Sequence, residues 1–184
     1  MVSWALALDP GRDGAAVLGR WSTGGLEVAR AWSWEGRTRK RGDVWILREW
    51  CGERLTTHEL ADLHVVGSWI RGVVMRPPYI GAGSQALVVE GLFGRGPTLE
   101  RLSWYAGLVA GPVLCWSTVP VARPLASLWR REVLGIKGGT KADICEAKAV
   151  SWANEHAPGL GPLGDSGHVA EAACMAAWRA ACST

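Results

Sequence analysis

The sequence predicts an α/β protein built on one mixed β-sheet flanked by helices. Three observations carry that expectation. Residues 4–34 hold three short apolar runs separated by turn signals, which predicts an antiparallel meander. Two further apolar runs, Ala86–Glu90 and Val113–Trp116, have the short, continuous character of buried parallel strands. Stretches with apolar residues at helical spacing lie between and after them. The expected sheet therefore has five strands, three antiparallel and then two parallel, in a single domain over residues 1–184.

Trp4–Leu18 (WALALDPGRDGAAVL) is an apolar run that ends on Asp9, turns on Pro10-Gly11 and resumes as a second run. Asp is depleted in strands and costly to bury unless paired, protonated or bound to a metal. Asp9 thus either closes its own turn through the backbone or binds something. Gly24-Gly25 leads into the third strand, Leu26–Trp34. Glu35–Asp43 (EGRTRKRGD) is a basic loop, read either as a solvated connection or as a phosphate-contacting arm. Val44–Cys51 is apolar and Trp-rich, and its pattern selects neither helix nor strand.

Thr56 or Thr57 followed by His58-Glu59 predicts a helix N-cap with an acidic first turn. Leu60, Leu63, Val66, Trp69, Ile70 and Val73 continue that helix to about Met75. Arg76-Pro77-Pro78 ends it, and His58 and His64 read as surface or interface residues on it. After the strand Ala86–Glu90, a helix starts at Pro97-Thr98-Leu99-Glu100 and runs to about Ala110. Beyond the strand Val113–Trp116, helices are expected at Arg123–Val133, Lys141–Glu155 and Gly167–Ala180. Gly135–Thr140 (GIKGGT) is a flexible loop, and Pro158–Gly167 is rich in Gly and Pro.

The 184 residues are 48% apolar and 20% charged, the balance of a globular domain with a proper core. A net charge of +3 is compatible with a polyanionic partner, and the excess of Arg over Lys suits bidentate phosphate contacts. The five cysteines form no CxxC pair, which points to reduced thiols in the cytoplasm rather than a disulfide framework or zinc ribbon. The amino terminus has no basic segment before its apolar run, so no signal peptide is expected. The longest apolar region, Ala106–Trp129, is broken by Pro112, Pro120, Arg123 and Pro124, and no membrane span is expected. The 12 Trp are core candidates that can also stack on bases.

Sites in α/β sheets form at the carboxyl ends of strands, where both Asp9 and Glu90 stand. The last helix adds His168 and Glu171, which share one face at i,i+3 spacing ahead of the apolar run Ala172–Trp178. Three acids and an imidazole in one cleft need a cation. Such an oxygen-rich set suits Mg²⁺, with the His favouring tolerance of Mn²⁺. Two such ions ~4 Å apart would activate a water and stabilise a leaving oxygen in phosphodiester hydrolysis. Asp165 reads either as a helix N-cap or as a further ligand.

With those residues in view, the chain resembles the RuvC-type Holliday junction resolvases of the ribonuclease H-like fold, a family with bacterial and phage members. The resemblance rests on ALDPGRDGAAV, VVEGLF and HVAEAACMAAW, which come in the family order at similar spacing and cover most of the chain. It implies that Asp9, Glu90, His168 and Glu171 are the metal-binding catalytic positions, with Mg²⁺ or Mn²⁺ as cofactor, two ions per site. His168 resembles the variants that replace an Asp, and Glu171 stands where Asp is usual, one methylene longer. It further implies that Phe93 stacks on an unpaired base at the junction centre; the alternative for this single Phe is core packing. Arg130 and Lys141 match the basic residues facing the scissile strand, and Arg95 joins them by position. Phosphate contacts of that kind orient DNA without reading it.

The implied partners are a four-way junction or other branched DNA and a second copy of the chain, since a two-fold junction suits a two-fold protein. Leu99, Leu102, Leu108 and Val109 are placed either at that dimer interface or against the sheet. The segment between Trp34 and Thr56 departs from the family pattern. Three other readings compete. A sugar-kinase or actin-like ATPase also opens with a strand, an Asp turn and a returning strand, but needs two such domains, for which 184 residues are too few. A catalytically dead junction-binding module has no use for clustered acids beside phosphates. Another ribonuclease H-like nuclease, acting on flaps, hybrids or transposon ends, shares every feature above.

Overall fold

The turn signals that open the chain fold as a hairpin. β1 (Ala5–Asp9) and β2 (Gly14–Ser22) pair antiparallel, so that Asp9 faces Ala15 across the ladder. A computed structural model describes residues 4–40, 42–76, 79, 86–91, 97–115 and 121–181. β3 (Gly25–Arg39), β4 (Gly42–Cys51) and β5 (Arg54–Leu60) extend the meander, each antiparallel to the one before. β6 (Ala86–Val89) and β7 (Val121–Ala122) lie on the other side of β1 and run parallel to it. The order across the sheet is β5-β4-β3-β2-β1-β6-β7. Its central five, β3-β2-β1-β6-β7, are the expected three antiparallel and two parallel strands.

The sheet has seven strands rather than the expected five. β3 does not stop at Trp34 but continues to Arg39, and the segment of unassigned state returns beside it as β4. Thr56, Thr57 and His58 do not cap a helix either; they belong to β5, whose side chains alternate in exposure as an edge strand's do. The helix begins later, as α1 (Leu63–Val74), where the Asp62 side chain accepts the His64 N–H at 2.8 Å. The second parallel strand is also displaced. Val113 and Leu114 close α2 (Pro97–Leu114), and the strand forms at Val121–Ala122. Trp116 lies outside the described residues. A four-residue apolar run fits a buried helix end as well as a strand, and Val113 is buried beneath α2. α3 (Ala126–Leu134), α4 (Ala142–His156), a 3₁₀ segment at Pro158–Leu163 and α5 (Gly167–Ala181) complete the order.

Strand alternation divides the interior into two apolar layers. Leu6, Leu8, Trp32, Trp34 and Leu47 point toward α1 and α2. Ala5, Ala7, Ala15, Val17 and Val88 point toward α3, α4 and α5. The second layer is unusually small in its side chains. Ala5, Ala7 and Ala15 on the sheet meet Ala170, Ala173 and Ala176 of α5, all buried, so the helix rides close to the strands. None of the described helices is long and apolar enough to cross a membrane. Cys51, Cys115, Cys145 and Cys174 are free thiols, and burial pushes the Cys174 thiol well above its ordinary value.

Candidate active site

The same alternation that buries Ala5 and Ala7 turns Asp9 to the α5 face of β1, and the one that buries Val88 turns Glu90 to that face. β1 and β6 are paired neighbours up to Leu8↔Val89, so the two acids stand side by side just past the ladder's end. Neighbouring strands lie ~4.8 Å apart, which puts the two carboxylates within strong mutual repulsion. The alanine layer then lets α5 lower its first turn onto them. His168 Nδ1 lies 2.7 Å from Asp9 Oδ2, 159 residues away in sequence. Glu171, one turn further along, is largely buried and faces both.

Partners inside the protein hold each group. Trp129, wholly buried on α3, donates its indole N–H to Glu90 Oε1 at 3.1 Å. Arg130 beside it donates to Glu171 Oε1 at 2.5 Å and lies over the Trp129 ring at 5.1 Å. The Arg130 Nε is buried and has no hydrogen-bond partner among the described residues.

The electrostatics follow from this crowding. Burial, with Asp9 and Glu171 adding repulsion, pushes the Glu90 carboxyl up to about 7. Burial and Asp9 also raise Glu171, against the pull of Arg130. The hydrogen bond to Asp9 pushes the His168 imidazole up to about 9, so it is charged at neutral pH. Glu90 and His168 both hold a proton more tightly folded than unfolded, between 4.5 and about 7 and between 6.5 and about 9 respectively. Folding thus binds protons throughout that range, and stability falls as pH rises. Thermal melts of chelator-treated protein should show a melting temperature that declines from pH 5 to pH 9. A flat or rising trace would contradict this account of the site.

The three carboxylates, with the charged His168 and the half-buried Arg130 beside them, have the chemistry of a hard divalent-cation site. As they stand, no three His, Cys, Asp or Glu side chains among the described residues are gathered closely enough to hold an ion. Asp9 and Glu171 are instead engaged by His168 and Arg130.

Of the eight residues the sequence singled out, Asp9, Glu90, His168 and Glu171 are brought together and Arg130 joins them. Lys141 is exposed at the start of α4 and makes none of the contacts that tie these groups. Phe93 and Arg95 lie outside the described residues. Asp165 is exposed in the turn before α5, and the Ser166 carbonyl, not Asp165, takes the N–H of Ala170. Two contributors were not legible. Trp129 read only as an apolar helix residue. Glu146 on α4 lies so close to Gly167 that a methyl there would fall 2.1 Å from its Oε1, and its charge helps to raise His168. A groove of about 480 Å³ also opens from Glu90 between β6 and α2, with Ser103 and Arg123 in its walls.

No family model matches the chain, and no curated protein matches it. Among solved structures it is similar to RuvC from Thermus thermophilus. The RuvC in complex with a Holliday junction substrate shares 13% identity over 99% of this chain and 98% of that one, with a TM-score of 0.48. A second structure of the same protein shares 17% identity over 94% of this chain and 90% of that one, with a TM-score of 0.46.

Proposed function

We propose that this chain is one ribonuclease H-like nuclease domain that cuts four-way DNA junctions by hydrolysis of phosphodiester bonds, with a divalent cation, Mg²⁺ or Mn²⁺, as cofactor. The observation that carries the reading is the meeting of Asp9, Glu90, His168 and Glu171, drawn from three distant parts of the chain. A structural role alone does not account for so many acids at one buried point, since each raises the cost of ionising the next.

Asp9, Glu90 and Glu171 would hold the cation, with the charged His168 beside Asp9 rather than on the ion. Bound there, it supplies water activation and neutralisation of charge on the phosphate. The protein's own part is positional. Trp129 fixes one oxygen of Glu90 and leaves the carboxylate aimed along the strand end. The charged His168 imidazole offsets Asp9 and is half-exposed, placed to donate to a phosphate or leaving oxygen. Arg130 neutralises Glu171 when no cation is bound and can turn to the phosphate when one is.

A junction with two-fold symmetry calls for a two-fold enzyme, so the proposed assembly is a homodimer. On α2, Val109 is buried with its carbonyl against Gly67 of α1, whereas Trp104 is 63% exposed and is the natural centre of an interface. The test is incubation with labelled four-way junction, flap and duplex DNA, each with Mg²⁺, Mn²⁺ or chelator. Paired cuts in the junction, dependent on the ion, are expected, together with a mass near twice 19.7 kDa in sedimentation. Cleavage of flap or hybrid in preference to junction would instead favour another nuclease of the same fold.

A further inference from the structure

The segment between Trp34 and Thr56 forms a β-ribbon with a defined mounting. Pairing between β2 and β3 ends at Gly14↔Trp34, level with the turn after Asp9, but β3 continues through Arg39 with β4 beside it. Five residues beyond that level, at ~3.4 Å each, carry the ribbon about 17 Å past the candidate site. Residues 36–42 (GRTRKRG) hold four basic side chains and no acid.

The ribbon is strapped to the turn that follows Asp9. The Gly36 N–H bonds Asp13 Oδ1 at 2.7 Å, and the Trp34 and Trp45 indoles bond the carbonyls of Gly11 and Arg12 at 3.1 and 3.3 Å. The Arg12 guanidinium closes the set on Thr38 Oγ1 at 3.1 Å. A solvated loop needs no such anchorage.

Alternation also decides which way the ribbon's charges face. Ala31 lies in the α5 layer, so Glu35, Arg37 and Arg39 follow it on that side. On β4, Arg48 does the same, opposite in sense to Leu47. A groove of about 430 Å³ runs along this face from His168 and Ser166, past Ser33, to Glu35 and Arg48. Arg37 and Arg48 are ion-paired to Glu35, and Arg39 to Glu59 at 2.7 Å. Such exposed pairs contribute little and exchange readily for phosphate.

We propose that this ribbon is a phosphate-binding arm for double-stranded DNA, with the duplex running from the candidate site along the groove past Arg48 to Arg37 and Arg39. The inference rests on the nuclease reading above and adds a surface to it. The contacts would be to the backbone and independent of sequence, since the tip offers Arg and Lys but no Asn or Gln to read bases.

The test measures binding apart from cleavage, by titrating wild-type protein and an Arg37→Gln/Arg39→Gln/Arg48→Gln variant with a labelled 30-base-pair duplex in chelator at several salt concentrations. Affinity of the variant should fall by roughly 10- to 100-fold at low salt, and its salt slope should shrink by about 2 to 3. Glu35→Gln/Glu59→Gln, which frees the arginines, should bind more tightly than wild type and with a steeper slope. Unchanged affinity and slope in both variants would overturn the arm. Wild-type protein that binds duplex through these residues yet never cuts a junction would overturn the resolvase reading and leave the arm standing.

Discussion

Glu90→Gln should abolish cleavage while leaving DNA binding intact. The substitution keeps shape and volume, and the new amide oxygen can still accept the Trp129 indole N–H that Glu90 accepts at 3.1 Å. What is lost is one negative charge at the point where Asp9 and Glu171 already strain against it. If Glu90 holds the catalytic cation, removal costs several kcal/mol of charge stabilisation, or on the order of a thousandfold in rate. The same change should raise the melting temperature of chelator-treated protein at pH 8, because a buried repulsive charge is gone. Junction cleavage at the wild-type rate would refute the catalytic assignment. A melting temperature that falls instead would show that the charge is compensated in a way the site geometry does not reveal.

Gly14→Ala should do its damage through the backbone. A methyl at Gly14 would sit 2.3 Å from the Asp9 carbonyl oxygen and 2.7 Å from the Trp34 ring. Neither can retreat cheaply. Asp9 is in the β1–β2 ladder, and Trp34 is buried with its indole bonded to Gly11. Overpacking of this kind costs ~3 kcal/mol, which lowers the melting temperature of a chain this size by about 6–12 °C. Because the displaced atoms belong to Asp9 itself, cleavage should suffer beyond the loss of folded protein, and a specific activity corrected for folded fraction would read that out. A variant that melts and cuts like wild type would mean that the turn is looser than its packing implies.

The residues whose placement follows from local pattern were legible before the fold. Asp9 and Glu90 announced themselves as carboxylates closing apolar strands, and His168 and Glu171 as an i,i+3 pair ahead of an apolar helix. What escaped was decided by tertiary context. His58 sits in a strand and lies against Trp69 at 4.4 Å between ring centroids, although Thr-His-Glu reads locally as a helix start. Val113 finished a helix because a buried place waited for it under α2, which no four-residue run can declare. Beyond Trp34, β3 grades from half-buried to exposed on both faces, so its polar and basic residues show no strand period. Trp129 resembled every other apolar helix position, since nothing in sequence tells that an indole N–H will find a carboxylate 39 residues away.

The alanine layer beneath α5 has a consequence for how such chains are compared. Ala7 and Ala173 are wholly buried, and their methyls gauge the aperture between strand and helix. A bulkier side chain at Ala7 would act as a wedge, prising His168 and Glu171 away from Asp9 while all four residues kept their places along the chain. A misplacement of about 1 Å costs on the order of a hundredfold in rate. Counting acids therefore does not tell a working nuclease from an inert relative; the thickness of the spacer under them has to be read as well.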